Sequence, residues 1–173
     1  MSGRLAALIS FPDPVNEVAA RVVAAVVVLL CASAIAFREP WLLVPLAYGF
    51  WARALTGPSL SPLGQVATRL VAPRLGRSRP VPGPPKRFAQ AIGVAFSTTA
   101  VVLWFGFSEH LATWVVVGVL GSAAALESLL GFCVGCRIFN LLMKAGLLPA
   151  DVCRSCADLS LRHPELKQTT ART

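Results

Sequence analysis

The sequence predicts an all-α polytopic membrane protein. Four transmembrane helices form two hairpins, joined by a basic loop with an amphipathic helix and followed by a short C-terminal helix. Three observations carry that prediction. Apolar residues fill 55% of the 173 positions and charged residues only 14%, well below the roughly one quarter usual in soluble domains. The apolar residues fall in runs close to the ~20 residues a helix needs to cross a bilayer. The basic residues collect in alternate connections between those runs. An ordinary soluble enzyme domain, a disordered chain and a small disulfide-stapled secreted module are excluded. A net charge of +8 on so apolar a chain reads as membrane orientation and not as nucleic-acid binding.

The first span runs from about Val18 to Phe37 and is stopped by Arg38-Glu39-Pro40. The second, Trp41 to about Leu55, is short and holds Pro45, Gly49 and Arg53, so a kink, a tilt or snorkelling of Arg53 is expected. The third is Phe88 to Phe107, and Ser108-Glu109-His110 separate it from the fourth, Leu111 to Gly131. The helical pattern of the fourth continues to about Lys144. Together these form a membrane domain over residues 1–145, with a tail over 146–173. Small triplets at Ala32-Ser33-Ala34 and Ala34-Ile35-Ala36 resemble signal-peptide cleavage sites. The long segment before them, with Pro12, Asp13, Pro14 and Glu17, argues for an uncleaved span.

Seven basic residues and no acidic one lie between Arg53 and Arg87: Arg53, Arg69, Arg74, Arg77, Arg79, Lys86 and Arg87. The opposite connections hold only Arg38, Glu39 and Glu109. Basic loops stay on the cytoplasmic side, so the long loop and both termini are expected there. Trp41, Trp104 and Trp114 then mark the outer interface and Trp51 the inner one. Residues 56–87 contain seven prolines, which forbid one continuous helix. Within them, Leu63, Val66, Leu70 and Val71 repeat at helical spacing, predicting a short amphipathic helix over Pro62–Leu75 on the inner leaflet. Arg79 to Pro85 reads as a stiff extended tether.

Four of the five cysteines form two pairs, Cys133/Cys136 and Cys153/Cys156, with the spacing Cys-x2-Cys-x16-Cys-x2-Cys. The first pair lies where the fourth span leaves the membrane. The second follows Asp151, a candidate N-cap that puts Cys153 in the first turn of a tail helix, where the helix dipole and Arg154 favour thiolate. Two chemistries use this set. The spacing suits a structural four-thiolate zinc site made by Cys133, Cys136, Cys153 and Cys156. An open pair suits thiol exchange or persulfide carriage, with Cys153 attacking and Cys156 resolving. A reducing compartment disfavours stable structural disulfides.

Arg87-Phe88-Ala89-Gln90-Ala91-Ile92-Gly93 and Gly131-Phe132-Cys133-Val134-Gly135-Cys136 resemble a bacterial family of small four-span membrane proteins described as a domain of unknown function. Asp13-Pro14-Val15-Asn16 and Ser61-Pro62-Leu63-Gly64 fit the same pattern, so the likeness covers about residues 12–145. Its most specific part is Phe-Cys-x-Gly-Cys. The resemblance implies association with thioredoxin-like and rhodanese-type sulfurtransferase proteins, and so a place in thiol redox or sulfur metabolism. It also implies residence in the bacterial inner membrane.

Glu127 lies within the inner half of the fourth span, where a carboxylate needs a partner. Arg21 and Arg53 lie at comparable depth, so an intramembrane ion pair with one of them is expected. On an unbroken helix Glu127 points about 120° away from Cys133. Cys31 reads as a small apolar filler, and His110 and His163 have no companions for catalysis. Gly118-x-x-x-Ser122 and Gly121-x-x-x-Ala125 suit a homo-oligomer or packing within the bundle equally. The expected role is therefore a membrane accessory in thiol redox or sulfur transfer, with a zinc-holding scaffold as the alternative.

Overall fold

The computed structural model describes residues 15–57, 61–75, 80–148 and Cys153. The described residues begin with β1 (Val15–Asn16), and Asn16 caps the first long helix, its Oδ1 accepting from Val18 N at 2.9 Å. That helix, α1 (Glu17–Phe37), ends where Arg38 takes a left-handed conformation with φ 54°. A 3-10 turn (Pro40–Leu42) reverses the chain into α2 (Leu43–Thr56). Pro45 falls in the first turn of α2, where a helical N–H has no intrahelical acceptor, so it disturbs no bond of the helix interior.

Ser61 starts the loop helix by accepting from Gly64 N at 3.1 Å, with Pro62 in the first turn. This helix comprises α3 (Pro62–Val66), a π-helical turn (Ala67–Val71) and α4 (Ala72–Leu75), matching the amphipathic segment expected there. Its small face, Ala67 and Ala72, packs on Ala19 and Val23 of α1, while Val66 and Leu70 stay exposed. Strand β2 (Pro80–Val81) pairs antiparallel with β1, Val15 opposite Val81 and Asn16 opposite Pro80. The described part of the proline stretch is therefore not a free tether: Pro80 and Val81 are clasped to Asn16 and Val15. Pro84 and Pro85 then open the next helix, α5 (Gly83–Phe105). A tight turn leads to α6 (His110–Leu130), and α7 (Val134–Lys144) closes the described fold.

Three of these helices, Glu17–Phe37, Gly83–Phe105 and His110–Leu130, are long and apolar enough to cross a membrane. The second expected span is shorter, its helix α2 having 14 residues. It nevertheless returns the chain to its starting end, because β1 and β2 lie side by side there. Helix α1 packs chiefly on α6, α2 on α5, and α5 on α6. The core is Val27, Cys31, Leu43, Leu46, Phe50, Ala100, Val117, Leu120 and Ala124. Glycine permits two of these close approaches. The Phe50 ring occupies the space a Cβ at Gly93 would need, and a Cβ at Gly121 would lie 3.0 Å from Cys31 Cβ. Gly121 thus serves packing inside the bundle, and Cys31 is the buried filler expected. Gly118 has open space beside it.

The two ends differ in composition. At the turn end, Trp41 meets Phe105 at 5.6 Å between ring centroids, and Trp104 meets Trp114 at 5.0 Å and His110 at 4.1 Å. Trp51 does not sit at the opposite end as expected. Its indole donates to Thr98 Oγ1 at 3.0 Å, within the span of α5, because a helical side chain leans back toward its own N-terminus.

Candidate functional site

Helices α5, α6 and α7 meet at the end that carries the β1–β2 clasp. The fourth span does not continue unbroken to Lys144 as the pattern suggested. Helix α6 stops at Leu130, where Gly131 takes φ 67° and the N–H groups of Gly131 and Phe132 close on the carbonyls of Glu127 and Leu126. A side chain at Gly131 is disfavoured both by that φ and by Glu17 Oε1, 3.3 Å from where its Cβ would lie. The break turns the chain so that α7 lies against α5.

Cys133 is the N-cap of α7, with φ −84° and ψ 106°. Cys136 lies one turn on and donates its Sγ–H to Cys133 Sγ at 2.9 Å; both are free thiols. Gly135 lets the motif press on α5, since a Cβ there would lie 2.6 Å from Ala89 Cβ. Phe139, buried one turn later, meets Phe88 at 5.6 Å, so α7 is pinned at two points. Arg137 stacks its guanidinium 5.0 Å over the Phe132 ring.

The hydrogen bond from Cys136 lowers the pKa of Cys133, and the positive charge of Lys86 adds to that. Burial and Glu127 oppose the shift without reversing it. The Cys136 thiol is pushed the other way, because it gives its proton to Cys133 and is itself desolvated. The hydrogen bond thus distinguishes the two sulfurs, Cys133 as its acceptor and Cys136 as its donor. A helix N-terminus favours negative charge in the same sense.

Glu127 does pair, but with neither arginine proposed for it. Its carboxylate meets Lys86 Nζ at 2.5 Å, with side chains only 11% and 17% exposed. Arg21 instead caps the end of α6, its Nε donating to Ser128 O at 3.2 Å and its Nη2 to Leu129 O at 2.9 Å. Arg53 turns inward and does not snorkel. It is 6% exposed, gives Nε to Gln90 Oε1 at 3.0 Å, and lies 4.7 Å over the Phe50 ring. Gly49 makes room for it, since a Cβ there would lie 2.9 Å from Arg53 Nη1.

Lys86 was counted in the sequence only as loop charge. A depth count finds it: Lys86 is 19 residues before the end of α5, and Glu127 is 17 residues after the start of the antiparallel α6. At 1.5 Å per residue the two are at nearly the same level. Because α6 breaks at Gly131, the 120° separation of Glu127 from Cys133 does not hold, and both sulfurs interact electrostatically with Lys86 and Glu127.

The second cysteine pair is described only at Cys153, which is buried and disulfide-bonded. The free thiol with a lowered pKa among the described cysteines is Cys133. Cys156, the Asp151 cap, the tail helix and His163 lie outside the described residues. Among the described residues no three His, Cys, Asp or Glu side chains gather as a metal site.

Residues 15–144 match the family model described as Domain of unknown function (DUF4395), which covers most of the chain, so the protein belongs to that family. No curated protein and no solved structure matches it.

Proposed function

We propose that this DUF4395 member is a multi-pass membrane protein that carries out thiol–disulfide exchange, with Cys133 as the attacking sulfur and Cys136 as the resolving one. The observation that carries the reading is the 2.9 Å hydrogen bond from Cys136 to Cys133 at the start of α7. Written from the reduced pair, the Cys133 thiolate attacks a disulfide of a partner, and the same steps run in reverse when a thiol donor reduces the pair. A mixed disulfide forms and the partner's first sulfur leaves as thiolate. Cys136 then loses its proton and attacks Cys133 Sγ, releasing the second sulfur. The partner has gained two electrons, and Cys133 and Cys136 are joined as a disulfide. The same thiolate can attack the outer sulfur of a persulfide, breaking the donor's S–S bond and releasing its inner sulfur as thiolate, so a thioredoxin-like or a rhodanese-type sulfurtransferase protein suits the site as partner.

The site end faces the cytoplasm in this reading, with both termini on the same side of a bacterial inner membrane. Its support is the seven basic residues that the sequence carries from Arg53 to Arg87 with no acidic one among them. An impermeant maleimide added to intact cells should leave Cys133 and Cys136 unlabelled.

The test of chemistry uses purified protein in detergent with oxidised glutathione. Wild type should form the Cys133–Cys136 disulfide, seen as a loss of two hydrogens from the peptide bearing both. Cys136→Ser should accumulate glutathione on Cys133. A Cys133→Ser protein that reduces glutathione disulfide as fast as wild type would overturn the proposal.

A further inference from the structure

Beside the dithiol lies a charge imbalance that the exchange step itself does not use. Arg53 on α2 is 6% exposed and Lys86 on α5 is 8% exposed, so two cations are buried at this end of the bundle. One carboxylate answers them: Glu127, bound to Lys86 in the one salt bridge found among the described residues. Arg53 has the neutral Gln90 carbonyl and the Phe50 ring. Gln90 lies one turn from Lys86 on α5, and Arg53 is near enough to Glu127 for their charges to attract. Lys86 also attracts both sulfurs.

Among the described residues, the other charged groups beside the motif are Glu17, Arg21 and Arg137. Glu17 and Arg21 flank Gly131 together, with Arg21 committed to the α6 carbonyls, and Arg137 lies over Phe132. The cluster of Arg53, Lys86 and Glu127 therefore carries one unit of excess positive charge when Cys133 and Cys136 form a disulfide. It is neutral when Cys133 is a thiolate. A buried charge left without a counter-charge is costly, and a sulfur anion supplies one here.

We infer that Arg53 and Lys86 are positioning residues that stabilise the reduced, thiolate-bearing pair, so that the Cys133–Cys136 disulfide is strongly oxidising and the protein draws electrons from a thiol donor. The inference rests on the dithiol reading above and gives it a direction. With glutathione as donor, two thiols give up two electrons and two protons. A glutathione S–S bond forms as the Cys133–Cys136 bond breaks. One proton stays on Cys136 Sγ, and the other goes to solvent because Cys133 remains a thiolate. A disulfide whose reduced form is stabilised is a strong oxidant on general grounds.

The experiment equilibrates the full chain in detergent with reduced and oxidised glutathione, then traps free thiols by alkylation and measures the oxidised fraction by mass. Arg53→Gln should shift the equilibrium about tenfold toward the disulfide, a potential about 30 mV more negative. Arg53→Lys keeps the charge and should restore the wild-type value. Gln90→Glu adds the missing carboxylate with little change of shape and should shift it in the same direction as Arg53→Gln, which covers the case where the latter does not fold. Equal potentials in wild type and Gln90→Glu, or equal shifts in Arg53→Lys and Arg53→Gln, overturn the inference and leave the exchange reading standing. A wild-type pair that fails to interconvert at any glutathione ratio overturns the exchange reading itself.

Discussion

The two ends of this bundle are built from opposite materials. The turn end is closed by rings: Trp41 on Phe105, and Trp104 on Trp114 and His110. The other end is closed by charge and sulfur: Lys86 on Glu127, Arg21 on the α6 carbonyls, Cys136 on Cys133. Aromatic rings tolerate the interface because one edge is apolar and the other wet, and they impose loose geometric demands. A buried ion pair beside two thiols imposes strict ones, since each group loses its counterpart if any member shifts. The difference teaches that the demanding contacts are gathered at one end of the helix axes, so mutations at the turn end should leave the sulfurs undisturbed.

The largest effect should come from Glu127→Leu, which strands the Lys86 ammonium. Breaking a buried pair on one side costs about 3–5 kcal/mol. Thermal unfolding in detergent should show that loss, and the double change Lys86→Met with Glu127→Leu should recover most of it. If the double variant is as unstable as the single one, the pairing is not what holds this end. Next comes Gly135→Val, which drives a branched side chain into Ala89 and lifts α7 from α5. Overpacking of this kind costs about 1–3 kcal/mol. Here it should also slow alkylation of Cys133, because the Cys136 hydrogen bond moves with the helix.

Trp104→Ala at the turn end should cost about 1 kcal/mol for each aromatic pairing lost. Thiol reactivity should not change; a shift in Cys133 alkylation would show the two ends to be coupled. The smallest effect is a pH dependence. The pKa of Cys133 lies below the ordinary 9.0 and that of Cys136 above it, so Cys133 should alkylate first as pH rises. A depressed pKa stabilises the reduced fold at pH above the unfolded thiol value. That contribution is lost as pH falls through the folded value of Cys133. Equal alkylation profiles for the two cysteines would remove the distinction between their roles.

Much of the fold was legible from residue pattern. The hairpins followed from run length, and the loop helix from Leu63, Val66, Leu70 and Val71 with Pro62 at its start. The face that helix buries was not, because Ala67 and Ala72 offer little hydrophobic signal and matter only through the close approach they allow to α1. The break at Gly131 had a sequence signal, a glycine just beyond the last periodic residue, which is where helices end in a left-handed turn. It was overridden by the apolar pattern continuing beyond it. The partner of Glu127 needed depth matched between antiparallel helices, which one-dimensional periodicity does not contain. The cysteine pairs were found by spacing alone, but spacing treats all four alike. Only the position of Cys133 at a helix start, with Cys136 and Lys86 around it, sets one sulfur apart from the rest.

Helix α2 has one further consequence. Its 14 residues span about 21 Å, against about 30 Å for the hydrocarbon interior of a bilayer. A bilayer meeting a helix this short thins beside it, drawing headgroups and water inward. Arg53 lies three residues before the end of that helix, and its burial against Gln90 and Phe50 keeps the guanidinium out of such water.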